Sequence, residues 1–145
     1  MVYYLLAIII GLGMTVQAGV NSQLRNVVGE PLTASLINFL VGTFVLLIFT
    51  IAAGKVSFSP AGLTDFSWWK LTGGLIGAFY IYIMIIVVPK IGPANLFSLV
   101  VAGQMVTAVL LDHFGWLGFS LHPLNSLRFF GVILLIAGVY IIQNN

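Results

Sequence analysis

Four long runs of this chain carry no charged side chain, and each is long enough to cross a bilayer as a helix. They are Val2–Val20, whose helix is expected to continue to Leu24, then Leu32–Ala53, Leu71–Val88 and Ala94–Leu111. A fifth apolar run, Leu127–Ile142, is the shortest. A membrane helix needs roughly 20 mostly apolar residues. At 1.5 Å per residue the fifth run covers only ~24 Å and needs flanking residues or a thin bilayer. Charged residues make up 6% of the chain and hydrophobic ones 61%. A soluble domain carries about 25% charged residues, and disorder needs low hydrophobicity, so neither class fits. The runs are too long, and too uniformly apolar, for the alternating strands of a barrel. The expected fold is an all-α membrane protein, a single membrane domain over 1–145. Its five transmembrane helices fall at about 2–24, 32–53, 69–88, 93–111 and 127–142.

The connections suit this division. Gly29-Glu30-Pro31 turns the first helix into the second, with Pro31 at a helix start. Gly54 to Ser67, with Pro60 and Gly62, reads as a loop, and Pro89-Lys90-Ile91-Gly92-Pro93 as a tight turn. Trp68, Trp69 and Trp116 lie at span ends, where indole rings favour the interface. The first run has no Lys or Arg between Met1 and Tyr4 and is long for a signal-peptide core, so it is expected to be a retained helix.

The chain has 0 Cys, which excludes disulfides and thiolate chemistry. Its net charge of +2 comes from dispersed groups, and no Lys/Arg cluster is present to meet a nucleic acid. No phosphate loop, catalytic triad, metal-ligand cluster or carboxylate pair occurs, so the sequence supports neither an enzyme nor a cofactor or metal site.

Five helices put the termini on opposite sides. The side of the N-terminus then carries Lys55, Lys70 and Arg128, and the other side Arg25 and Lys90. Positive residues orient a membrane chain through their difference between sides, and this difference is nearly nil. Two readings stand: one orientation set by other details, or insertion both ways with pairing to an inverted copy. Helix contacts are expected at Gly73 and Gly77 in the third span and at Gly131 and Gly138 in the fifth, because small residues let helices approach in lipid.

The polar residues at depth are amides. Gln17 lies eight residues before Arg25, and Asn38 eight after Glu30, so both sit ~12 Å in from one side. Asn21 shares the face of Gln17. Gln104 lies near the midplane, and Tyr80 is at mid-depth in the third span. Gln17, Asn21, Asn38, Tyr80 and Gln104 are therefore the candidate substrate-binding residues. The plainer reading of each amide is a hydrogen bond between helices, worth about 0.6 kcal/mol. Asp112 and His113, at the end of the fourth span, are either a polar terminus meeting water or a titrating gate.

Several segments together resemble one family. They are Gln17-x-x-x-Asn21-x-x-Leu24, Phe39-x-x-Gly42, Gly73-Gly74-x-x-Gly77, Gly103-Gln104, Asp112-His113-Phe114-Gly115 and Gly131 to Gly138. Their order and spacing are similar to the YdcZ-like five-helix branch of the drug/metabolite transporter superfamily, over nearly the whole chain. The resemblance implies a multi-pass protein of the bacterial inner (cytoplasmic) membrane. It also implies half of a ten-helix inverted-repeat transporter, assembled as an antiparallel homodimer with an inverted copy of itself. The expected function is secondary transport of small polar or cationic metabolites or drugs by alternating access in a dual-topology homodimer. The alternative is a non-transporting membrane scaffold or accessory subunit. Expected partners are the inverted copy, a small-molecule substrate and membrane lipid, with no nucleic acid.

Overall fold

The computed structural model describes residues 2–54 and 67–144. The expected loop with Pro60 and Gly62, and the counted charge Lys55, lie outside the described residues. The chain forms two compact units, one up to Lys90 and one from Ile91 onward.

The first unit begins with α1 (Val2–Val28) and α2 (Pro31–Ala52). Helix α1 runs four residues beyond the expected end at Leu24. Gly29 stops it with a positive φ of 81°, and the Gly29 N–H donates to the Arg25 carbonyl. Glu30 then caps α2. Its extended backbone (φ −142°, ψ 128°) lets a carboxylate oxygen accept from the Thr33 N–H at 2.6 Å and the Thr33 hydroxyl at 3.2 Å. Pro31 follows at the first helical position, where its missing N–H costs nothing. A connection of two residues makes α1 and α2 an antiparallel hairpin. Its buried positions are small ones: Ala18 and Asn21 on α1, Ala34 and Ser35 on α2. That is how helices close on each other where lipid removes most of the gain from apolar burial.

A short 3-10 turn, Trp68–Leu71, leads into α3 (Thr72–Phe114). In the first unit α3 buries Ile81, Met84, Ile85 and Val88, one stripe at helical spacing. Pro89 sits inside this helix and has no N–H to offer the Ile85 carbonyl four residues earlier. A guanidinium nitrogen of Arg25 approaches that carbonyl instead, at a long 3.5 Å. The last turn of α1 thus serves the backbone group that the proline leaves without its helical partner.

A straight helix of 43 residues would be ~65 Å long, about twice the hydrocarbon core. The backbone of α3 leaves the helical conformation at Gly92, with φ 78° and ψ 159°. Only glycine adopts that region without strain, and Pro93 follows as a helix starter. The expected five-residue turn is therefore a break at a single residue.

The second unit continues α3 to Phe114. Gly115 ends it in the left-handed region at φ 62°, and a short 3-10 turn follows at Trp116–Gly118. The chain then folds back, so that the His122 N–H donates to the Asp112 carbonyl at 2.8 Å. Asn125 caps α4 (Ser126–Gln143), its side-chain oxygen accepting from the Arg128 N–H at 2.8 Å.

Four helical segments among the described residues are long and apolar enough to cross a membrane, the longest being Trp68–Phe114. Their large side chains point outward: Ile8, Ile9, Ile10, Phe44, Leu46 and Phe49 are all exposed. Water would not tolerate such a surface, whereas lipid solvates it.

Candidate functional site

A groove of about 530 Å³ opens in the first unit, and its lining includes Gln17, Asn38, Phe39, Thr43, Gly77 and Tyr80. The equal depth of Gln17 and Asn38 follows from the hairpin, since both are counted from the same turn. Tyr80 lies one helical turn from Gly77, so α3 presents both to the groove. An added Cβ at Gly77 would meet the tip of the Phe39 ring at 3.8 Å, which is ordinary contact. Among the described residues, nothing lies within 4 Å of a Cβ added at Gly42 on the same wall.

The polar groups of this groove are uncommitted. Among the described residues, no hydrogen bond uses the side chains of Gln17, Asn38 or Thr43. The Tyr80 hydroxyl is buried and has no partner. Each amide offers two donors and an acceptor oxygen. An amide that tied α1 to α2 would show that bond here, and these do not.

The other candidates fall elsewhere. Asn21 is 3% exposed, and its amide nitrogen is buried without a partner, so it lies in the hairpin interior and not on the groove lining. Gln104 belongs to the second unit, is exposed, and lines neither of the grooves found there. Sequence reading missed Thr43 as a lining residue. The signal was its spacing: 39, 42, 43 and 46 form one helical face.

The second unit carries a groove of about 550 Å³ with Phe97, Ser98, Val101, Leu134, Gly138 and Ile142 in its lining. Its one hydroxyl, on Ser98, already donates to the Asn95 carbonyl at 3.0 Å. A smaller groove includes Met105, Arg128 and Gly131. Among the described residues, a Cβ on Gly131, Gly138 or Gly73 would meet nothing within 4 Å.

Asp112 and His113 have structural partners. Asp112 accepts from a guanidinium nitrogen of Arg128 at 2.7 Å, and the other terminal nitrogen of Arg128 donates to the His122 carbonyl at 2.8 Å. His113 Nδ1 accepts from the Leu124 N–H at 3.0 Å, which requires that nitrogen to be unprotonated. The Phe114 ring packs edge-on to His113 and stacks on Trp116. These bonds hold the segment between α3 and α4 against the end of α3. The described residues contain no group of His, Asp and Glu placed to hold a metal ion.

Long lipid-facing helices with a groove of free amides at depth define an all-helical, multi-pass membrane protein. Comparison with known proteins gives its family. The family described as "Putative inner membrane exporter, YdcZ" matches residues 2–141. The inner membrane protein YdcZ of Escherichia coli (strain K12) is 29% identical over 133 residues, covering 91% of this chain and 88% of that protein. No solved structure matches significantly. The chain belongs to the YdcZ family of the drug/metabolite transporters and is a multi-pass protein of the inner membrane.

Proposed function

We propose that this chain is one half of a secondary transporter for small polar or cationic metabolites or drugs. It works by alternating access as a dual-topology, antiparallel homodimer. The observation that carries the reading is the groove, where Gln17, Asn38 and Tyr80 meet at depth with polar groups that bond to no other part of the described chain. The family's description as an exporter supports the same reading. Taking the two sides of the Gly92 break as separate crossings gives five spans, and an odd number leaves the termini on opposite faces. Two such chains, one inverted, form the symmetric pair that secondary transporters build from internal repeats. Gly131 and Gly138, open on α4, are the surface we assign to the partner copy.

The test has two parts. Reporters fused after Asn145 should reveal both orientations in one population, and two added Lys should bias the mixture. A single orientation in the unmodified chain removes the inverted homodimer. For substrate, thermal unfolding of purified protein is measured across a metabolite library, since a ligand of the native state stabilises by RT ln(1 + [L]/Kd). Gln17→Ala and Asn38→Ala should lose the hit while stability changes by less than about 0.6 kcal/mol. Lost stability with unchanged affinity would instead favour a scaffold. Gln104→Ala tests whether the midplane amide joins the site in the assembled dimer.

A further inference from the structure

We infer that the groove of Gln17, Asn38 and Tyr80 takes an uncharged solute, one with hydrogen-bonding groups on a compact, partly aromatic body. The inference rests on the transport reading above and narrows its substrate class.

Among the described residues, the lining contains two carboxamides, one hydroxyl and one phenol, and no Asp, Glu, Lys, Arg or His. A charged solute entering it would leave water without meeting an opposite charge, and desolvation of an ion is recovered only by close pairing. A second copy cannot supply the missing charge at this depth. The runs Val2–Leu24, Leu32–Ala53, Leu71–Val88 and Ala94–Leu111 carry no ionisable Asp, Glu, Lys, Arg or His, and Leu127–Ile142 carries only Arg128, one residue from its start. That arginine is paired with Asp112. Any association of identical chains therefore surrounds a bound solute with neutral groups at mid-depth.

What the groove does offer is complementary to a neutral polar molecule. The amides of Gln17 and Asn38 both donate and accept, so they match an amide, a lactam or a hydroxyl on the solute. The rings of Phe39 and Tyr80 give a planar apolar body something to stack on. The volume of about 530 Å³ lies within the range of small-molecule sites. The space beside Gly42 remains open to the solute.

The experiment uses the full-length protein in detergent micelles and matched probes that share a skeleton but differ in charge. One set is nicotinamide, the N-methylnicotinamide cation and nicotinate. The other is N-acetyltyramine, tyramine and phloretate. Affinity is read from the dependence of the unfolding temperature on probe concentration. The expected result is that the neutral member of at least one set binds, with its cation and anion at least about tenfold weaker. Gln17→Leu and Asn38→Leu should each remove the neutral probe's shift. Asn38→Asp, which supplies the absent countercharge, should improve the cation's affinity by a similar factor. The ratio of neutral to cation in the unmodified protein is decisive even where a variant fails to fold. A cation that binds as tightly as its neutral partner, and loses binding in the Leu variants, overturns the charge rule and leaves the transport reading standing. A neutral probe unaffected by the Leu variants sits elsewhere and also overturns the inference. No binding by any member of either set overturns it together with the groove as a substrate site.

Discussion

Two grooves of nearly equal volume lie in the two units, and they differ in what their polar atoms are doing. In the unit up to Lys90, the groove exposes the side chains of Gln17, Asn38 and Thr43 with their hydrogen-bonding capacity unused. In the unit from Ile91, the hydroxyl of Ser98 is bonded back to its own helix, and the charged groups are gathered at the end of α3 in a closed set of bonds. Polar groups at a helix terminus have backbone donors and acceptors close at hand and are consumed by them. At mid-helix the backbone donors are already used, and a short side chain can still return to a carbonyl of the preceding turn, as Ser98 does; Gln17, Asn38 and Thr43 make no such bond among the described residues. The contrast separates polarity consumed in holding the fold from polarity that the described residues leave unused.

The largest expected effect comes at the boundary between the two regions. Gly92→Leu places a side chain on a backbone that only glycine adopts without strain, and it should lower stability by more than about 2 kcal/mol or prevent accumulation in the membrane. Next comes the closed set of bonds. Arg128→Met removes the ion pair with Asp112 and the bond to the His122 carbonyl. It should cost about 1–2 kcal/mol, allowing for partial exposure, while any ligand of the other groove binds as before. Changed ligand affinity in this variant would break the comparison.

A smaller effect, of opposite sign, is expected in the hairpin. Asn21→Leu removes a buried, unpartnered amide nitrogen and puts an apolar side chain of the same branched outline in its place. The unfolding temperature should rise, equivalent to about 1 kcal/mol. A fall would mean that Asn21 has a polar partner in the assembled protein. The smallest effect concerns Glu30. The Leu32 and Thr33 N–H groups, aided by Arg25, hold its carboxyl below the ordinary value near 4.5. Its contribution is present in full above that value and is lost as pH falls through the lower folded value. Unfolding temperatures of the unmodified chain and Glu30→Gln should therefore converge as the pH is lowered below about 4.5. A constant gap would mean that the cap does not depend on charge.

Much of this architecture is written in runs and turns. The absence of charge marks the helical runs, and Gly29-Glu30-Pro31 marks the hairpin, because a glycine stop, a carboxylate cap and a proline start each have a local physical cause. The meeting of Gln17 with Asn38 follows from counting back from that turn. Tyr80 is less legible, since its approach depends on how α3 packs on the hairpin and no local rule sets that. Asp112 and Arg128 lie 16 positions apart in sequence, at the two ends of the connection between α3 and α4, and the length of a loop does not reveal where its ends bond. The glycines show the limit most clearly. Among the described residues Gly77 finds Phe39, whereas Gly73, Gly131 and Gly138 have no neighbour within 4 Å of an added Cβ, and spacing alone does not tell which of them a neighbour covers.

The turn between α1 and α2 also has an electrical consequence for how the protein enters the membrane. Two residues join the helices, so neither can be inserted without drawing the tip of the hairpin along with it. That tip carries Arg25 and Glu30, one positive and one negative, and the lowered pKa of Glu30 keeps its carboxylate ionised. Moving one elementary charge against a membrane potential costs about 2.3 kcal/mol per 100 mV. For this tip the two contributions cancel, and the field does no net work in either direction. The membrane potential therefore leaves the hairpin's direction of insertion unbiased, and the choice passes to the charges that emerge later in the chain.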